Sequence, residues 1–182
     1  MATRGHTSLR RTGFGLLLGG IGGILFGLGV STATAGALEE AFPPSLWKSG
    51  KSPSGLWVDC VAESCGPPAH AVYVLERANP EMVNRIRSGA LTREWAEQLA
   101  ASFRRAQGDE IKVLDFTVQT GQVPGWTLVY RCQCEGRTSY VSSQIILARK
   151  GMMTFYSLAN SPEAAQENMQ KLIDVAMGPS SR

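Results

Sequence analysis

Histidine is scarce in this sequence, and the scarcity limits the catalytic chemistry that the chain can support. Of its 2 histidines, His6 lies in the N-terminal segment, so His70 is the only one in the remainder. Nucleophilic catalysis by serine or cysteine commonly needs an adjacent histidine as the base. His70 follows "GPPA" at the predicted start of a strand, a position typical of turn and edge residues. We therefore predict that the protein is not an enzyme.

Two common enzyme motifs are also missing. "SGKS" at residues 49–52 resembles part of a phosphate-binding loop, but that motif requires a glycine at position 45, which is Ser45 here. The G-x-S-x-G turn that carries the nucleophile of many serine hydrolases does not occur. We expect no cofactor.

The first 37 residues predict a secretory signal peptide. A basic start is followed by the apolar run "GFGLLLGGIGGILFGLGV" and then by the small residues "STATAGA". This order of charged, apolar and A-x-A segments is that of an exported chain. The preferred cleavage site is Ala33-Thr34-Ala35, and Ala35-Gly36-Ala37 is the second. We therefore expect residues 1–37 to be removed and the protein to be periplasmic or secreted.

An alternative interpretation keeps this segment as a membrane anchor. Four glycines recur at every fourth position, a spacing that lets membrane helices approach closely: Gly15, Gly19, Gly23 and Gly27. The apolar run has 18 residues, which is at the short end for a membrane span. The protein would contact a membrane only if this segment were retained.

Removal of the leader, residues 1–37, would abolish the net positive charge of the chain. The chain has 18 basic and 15 acidic residues, and Arg4, Arg10 and Arg11 belong to the leader. The remainder is neutral, whereas binding to nucleic acid needs a clustered basic excess. The basic doublets at 104–105 and 149–150 are interpreted as solvated edges, and nucleic acid is excluded as a partner.

The rest of the chain is long enough for one domain. Residues 38–55 are rich in proline, glycine and serine, which predicts an extended lead-in without regular structure. A single domain is predicted over residues 56–178, and residues 179–182 form a tail.

The predicted element order in this domain is β-β-α-β-β-β-β-α. An early hairpin covers residues 56–61 and 69–77, and a helical region begins at Asn79-Pro80-Glu81, pauses at Gly89 and continues from Thr92 to Gly108. A meander of four strands follows in "IKVLDFTVQT", "GWTLVYRCQC", "TSYVSSQIILA" and "MMTFYSLA".

The last predicted element is a helix with clear end signals. Ser161 is the predicted N-cap, and Gly178-Pro179 stops the helix. The fold class is therefore α+β: an antiparallel sheet, made of the early hairpin and the meander, packed with a long central helix and a C-terminal helix.

This order resembles the PsbP-like superfamily of secreted or lumenal α-β-α sandwich domains. The resemblance covers residues 54–178 and depends on "TREWAEQLAASFRRAQ", "TGQVPGWTLVY" and "MMTFYSLANSPEAAQENMQKLIDV". It implies a non-enzymatic protein that helps to assemble or stabilise a larger complex. The cysteines are not part of the general pattern of that group.

The 4 cysteines form two close pairs, Cys60 with Cys65 and Cys132 with Cys134. In an exported domain an even number of cysteines is typical of disulfides, and three connectivities are possible. Cys132 and Cys134 share one face of a strand, with Cα atoms about 6.5–7 Å apart, which is long for a disulfide. We therefore favour bonds between the two pairs, which requires the early hairpin to lie beside the "YRCQC" strand.

Function is predicted at the level of class. The leading hypothesis is an exported, non-enzymatic binding or assembly module whose partner is an envelope protein or complex. The alternative is a periplasmic copper-handling protein that uses Cys60, Cys65, Cys132 and Cys134 as thiolate ligands. Eight aromatic residues recur at spacings expected of core positions: Trp57, Tyr73, Trp95, Phe103, Phe116, Trp126, Tyr130 and Phe155.

Overall fold

A computed structural model describes residues 32–65, 68–103, 109–134, 136–148 and 151–178. The helices are α1 Thr32–Ala41, α2 Pro80–Arg87, α3 Arg93–Ser102 and α4 Pro162–Met177. The strands are β1 Trp47–Ser52, β2 Gly55–Cys60, β3 His70–Glu76, β4 Glu110–Gln119, β5 Gly125–Cys134, β6 Arg137–Ala148 and β7 Gly151–Ala159. The predicted α+β class is confirmed.

All seven strands form one antiparallel sheet in the order β1-β2-β3-β7-β6-β5-β4. The hairpins β4–β5, β5–β6 and β6–β7 follow the chain, whereas β3 pairs with β7, the last strand. Strand β7 therefore joins the three N-terminal strands to the meander.

Helices α1 and α4 cover one face of the sheet. Helix α4 packs on β3, β7 and β6, and α1 packs on α4. The core between them contains thirteen buried side chains: Leu38, Phe42, Trp47, Leu56, Val58, Ala69, Ala71, Ile146, Phe155, Met169, Leu172, Ile173 and Val175. Alternation along the strands places the neighbouring residues on the opposite face.

Helices α2 and α3 cover part of that opposite face. Helix α3 packs on β4, and α2 packs on β4 and β5. The core beneath them has ten buried side chains: Ile86, Leu91, Ala96, Ala100, Val113, Trp126, Leu128, Tyr130, Val141 and Ile145. Trp95 lies 5.5 Å from Trp126 and 6.0 Å from Phe116 between ring centroids, and Arg85 stacks on Trp95.

The predicted starts of α3 and α4 and the predicted end of α4 are confirmed. Thr92 and Ser161 accept hydrogen bonds from the backbone N–H groups of Trp95 and Ala164 respectively, as N-cap side chains do. Gly178 ends α4 with φ of 83°, a backbone conformation that favours glycine.

Three expectations differ from the structure. Residues 38–55 contain regular elements, because the end of α1 and the whole of β1 lie there. The central helix is short: α3 ends at Ser102, and the predicted continuation through residues 104–108 lies outside the described residues, as do both basic doublets. Phe103 is 48% exposed and not a core residue, although its ring stacks on Tyr130.

Both edges of the sheet carry features that oppose pairing with another chain. Strand β1 exposes Lys48 and Lys51. In β4 the register shifts between Val113 and Asp115, and Arg93 donates a 3.0 Å hydrogen bond to the Val113 carbonyl. Edge lysines and bulges both discourage aggregation through strand pairing. Among the described helices none is long and apolar enough to cross a membrane.

The burial of α4 gives a testable prediction. Leu172 is fully buried, whereas Leu114 is 39% exposed on β4. Leu172→Ala should lower the free energy of unfolding by about 3–5 kcal/mol, because it leaves a cavity. Leu114→Ala should change it by no more than about 0.5 kcal/mol. Urea unfolding of both variants measures the difference, and equal losses would contradict this placement of α4.

Candidate functional site

The side of the sheet that carries α2 and α3 is only partly covered. These helices lie mainly over β4 and β5, and no described helix packs extensively on this side of β1, β2 and β3, although α2 reaches the end of β3 near Arg77. Alternation places ten residues of these strands there. Seven of them, which we call the open strip, are Lys48, Gly50, Trp57, Asp59, His70, Val72 and Val74, and Ser52, Gly55 and Glu76 lie beyond them toward the other end. Its middle is apolar, and its charged residues lie toward one end.

The register aligns the open strip into cross-strand rows. Trp57 lies opposite both Gly50 and Val72. Trp57, Val72 and Val74 are all half-buried. Facing side chains in an antiparallel pair lie about 4.5–5.5 Å apart at Cβ, so these residues form one continuous apolar surface.

Trp57 lies across the backbone of strand β1. A Cβ atom added to Gly50 would be 2.3 Å from Cζ2 of the Trp57 ring, so the glycine leaves the space that the indole occupies. An aromatic ring over a cross-strand glycine is a known way to stabilise a sheet edge. The tryptophan therefore has a fixed position, and a large preorganised side chain suits a contact with a partner.

Asp59 and His70 form a hydrogen-bonded pair at one end of the open strip. The two residues are opposite each other on β2 and β3, and Nδ1 of His70 contacts Oδ1 of Asp59. Their side chains are 47% and 37% exposed respectively, so the pair contributes only about 0–1 kcal/mol to stability. Lys48 follows Asp59 in the same row, on β1.

An imidazole oriented by a carboxylate also occurs in catalytic triads, where it serves a nucleophile. In the register described here, the neighbours of His70 on this face are Leu158 across the strand and Val72 along it, and neither is a nucleophile. The pair is thus suited to recognition by charge and hydrogen bonding. In the sequence, the alternation of Trp57-Val58-Asp59 is the signal that could have placed Asp59 on the same face as Trp57 and beside His70.

The structure corrects the predicted cysteine connectivity. Cys60, the last residue of β2, is bonded to Cys65 at the end of a short 3-10 turn, Glu63–Cys65, with Cα atoms 6.0 Å apart. Both residues pack against the α1/α4 core. The preferred bonds from this pair to Cys132 or Cys134 are therefore wrong.

The strand order explains this correction. Strands β3, β7 and β6 lie between β2 and β5, which places β2 and β5 about 19 Å apart at 4.7–4.9 Å for each step. Cys132 also packs against the opposite core. It is in a disulfide as well, and neither Cys60 nor Cys65 can be its partner. The side chain of Cys134 lies outside the described residues.

The oxidised cysteines bear on the copper hypothesis. Copper binding by sulfur needs thiolates, whereas Cys60, Cys65 and Cys132 are all bonded. Within the described part of the chain, no three His, Cys, Asp or Glu side chains are close enough to hold a metal ion. No observation in the structure favours the copper hypothesis.

The opposite side of β4 and β5 is polar. The groove between these strands and α4 is lined by residues that include Gln119, Thr127, Gln144 and Gln166. On its α4 rim, a hydrogen bond from Lys171 and the lysine charge lower the pKa of Glu167. The uncovered part of this face is thus amide-rich, unlike the apolar middle of the open strip.

Comparisons with known proteins return similar folds and no family. No family model and no curated protein matches the chain. Cyanobacterial PsbP from Synechocystis is 11% identical, with a TM-score of 0.46 over 74% of this chain and 81% of that chain. A Pseudomonas aeruginosa protein of unknown function, PA94, is 13% identical, with a TM-score of 0.40 over 75% of this chain and 82% of its own.

The T6SS immunity protein TplEi from Pseudomonas aeruginosa is 14% identical, with a TM-score of 0.42 over 66% of this chain and 42% of its own. TM-scores below 0.5 at these identities do not establish a family. The function is therefore argued from the residues of this chain.

The disulfide gives the second prediction. A non-reducing peptide map should join Cys60 to Cys65. The double variant Cys60→Ala/Cys65→Ala should lower the free energy of unfolding by about 2 kcal/mol, because the bond closes a short loop. A map that joins either residue to Cys132 or Cys134 would contradict the structure.

The contact between Trp57 and Gly50 gives the third prediction. Gly50→Ala should displace the indole, lower the free energy of unfolding by about 1–3 kcal/mol and alter the near-UV circular dichroism. Gly121→Ala is the matched control, since no atom lies within 4 Å of the added Cβ, and its stability should change by less than about 0.5 kcal/mol. Equal effects in both variants would show that Trp57 does not occupy this space.

Proposed function

We propose that the protein is an exported, non-enzymatic binding or assembly module that contacts an envelope protein through the open strip. The observation that carries the proposal is the uncovered apolar middle of this strip, where Trp57 lies fixed between Gly50 and Val72. Tryptophan is enriched among the few residues that dominate the energy of protein interfaces.

The composition of the strip is that of a protein interface. An apolar centre formed by Trp57, Val72 and Val74 adjoins a polar border formed by Lys48 and the Asp59–His70 pair. Interfaces commonly combine such a centre with a polar rim, and the rim fixes orientation and specificity. A protein surface with a matching apolar patch and charges of both signs fits this arrangement.

Export is supported by two independent features. The leader has the organisation of a secretory signal, and disulfides persist mainly in oxidising compartments. The buried side chains Leu38 and Phe42 lie after both candidate cleavage sites, so the cleaved chain would keep the contacts that this segment makes with the core.

A site-specific cross-linking experiment tests the proposal. A photoreactive amino acid replaces Val72 in the open strip or Thr117, which is exposed on the other face of β4. We expect one protein of the envelope fraction to be cross-linked from position 72 and not from position 117.

The purified partner then allows affinity to be measured. Trp57→Ala should weaken binding by about thirtyfold, as expected when a central interface residue is truncated. Thr117→Ala should leave the affinity unchanged, and circular dichroism confirms that both variants are folded. Equal cross-linking from the two positions, or unchanged affinity of the Trp57→Ala variant, would contradict the proposal.

A further inference from the structure

A shallow pocket lies where the end of β3, helix α2, the end of β6 and the start of β7 meet. Its volume is about 350 Å³. Arg77 and Arg87 supply its charge, and Val83, Leu147 and Ala148 contribute apolar walls. The pocket is at the end of the sheet that lies away from the Asp59–His70 pair.

Both arginines lack a partner within the described part of the chain. Arg77 follows the last residue of β3, and Arg87 is in the last turn of α2. By contrast, Arg93 and Arg131 each bind a carboxylate. Glu76 precedes Arg77 but forms no ion pair with it and does not line the pocket.

Both arginines are exposed and line the same pocket, so a phosphate bound there would accept hydrogen bonds from both. The negative end of the α2 dipole accounts for the favourable position of Arg87. It does not account for Arg77, which follows a strand. A shared ligand gives both arginines a common role at this pocket.

Gly151 allows strand β7 to begin close to β3 beside this pocket. A Cβ atom added to Gly151 would be 2.4 Å from the Glu76 carbonyl oxygen, so only glycine allows β7 to begin so close to β3. Gly151 lines the pocket together with Val83 and Leu147.

We infer that this pocket binds the phosphate group of an amphiphilic ligand. Each planar guanidinium can bind a phosphate through two parallel hydrogen bonds. The apolar part of the ligand packs against Val83, Leu147 and Ala148. This binding site is separate from the open strip and does not depend on the function proposed for it.

Calorimetric titration of the full exported chain with three probes tests the inference. The probes are inorganic phosphate, glycerol 3-phosphate and dihexanoyl phosphatidic acid at concentrations at which it is monomeric. We expect saturable binding of the lipid, with an affinity about threefold higher than that of glycerol 3-phosphate, because only the lipid carries apolar chains and the apolar part of the pocket wall is small.

Three charge variants complete the test. Arg77→Gln and Arg87→Gln should each weaken binding of the lipid by about tenfold or more, through loss of charged hydrogen bonds. Arg137→Gln removes the same charge from an exposed site at the opposite end of β6 and should leave the affinity unchanged. Thermal unfolding shows whether each variant is folded. A lysine variant at the same position replaces any glutamine variant that fails to fold.

Each remaining outcome would overturn the inference in a defined way. Absence of saturable binding would exclude a phosphate site, and equal weakening by Arg137→Gln would show attraction by net charge alone. Equal affinity for the lipid and for inorganic phosphate would exclude a role for the apolar walls. None of these results would affect the open strip, whose test uses position 72.

Discussion

The pairing of β3 with β7 holds the two halves of this protein together. This strand pair, which we call the seam, runs from His70 opposite Leu158 to Glu76 opposite Met152. It joins segments that are far apart in the sequence. Phe155 and Ala71, both fully buried, lie on the two strands of this seam. Forming this pairing costs loop-closure entropy, and the burial of such side chains, together with the packing of α4 on β3, β7 and β6, offsets that cost.

The position of β7 also determines which parts of the sheet are covered. Helix α4 follows β7 directly and returns over β7, β6 and β3, whereas α2 and α3 precede β4 and lie over β4 and β5 on the other side. The two helical layers are thus displaced toward opposite ends of the sheet. The apolar open strip and the polar groove beside α4 are the two areas that this displacement leaves uncovered.

Alternation and capping signals predicted most elements, because they are local properties of the chain. Ser161 and the alternating strand residues of the meander are examples. Strand β1 was missed because "WKSGKS" has weak strand propensity, and it forms as a two-residue hairpin with β2, from Ser52 opposite Gly55. Its lysines and glycine are the residues expected of an edge strand.

The strand order could not be predicted in the same way. No local pattern specifies that β7 and not β5 adjoins β3, and the error in the cysteine connectivity followed from this gap. The candidate site could not be predicted for the same reason, because it too depends on long-range packing. Trp57 had the spacing of a core residue, and only the placement of the helices shows that its face of the sheet is uncovered.

The inferred phosphate pocket is built across the same seam. Arg77 comes from the N-terminal side of the seam, whereas Leu147 and Gly151 come from the meander. A ligand that needs both sides binds the folded chain and not the unfolded one, so it stabilises the seam by mass action. Strand β3 also carries part of the open strip, so both surfaces depend on the same strand pair for their structure.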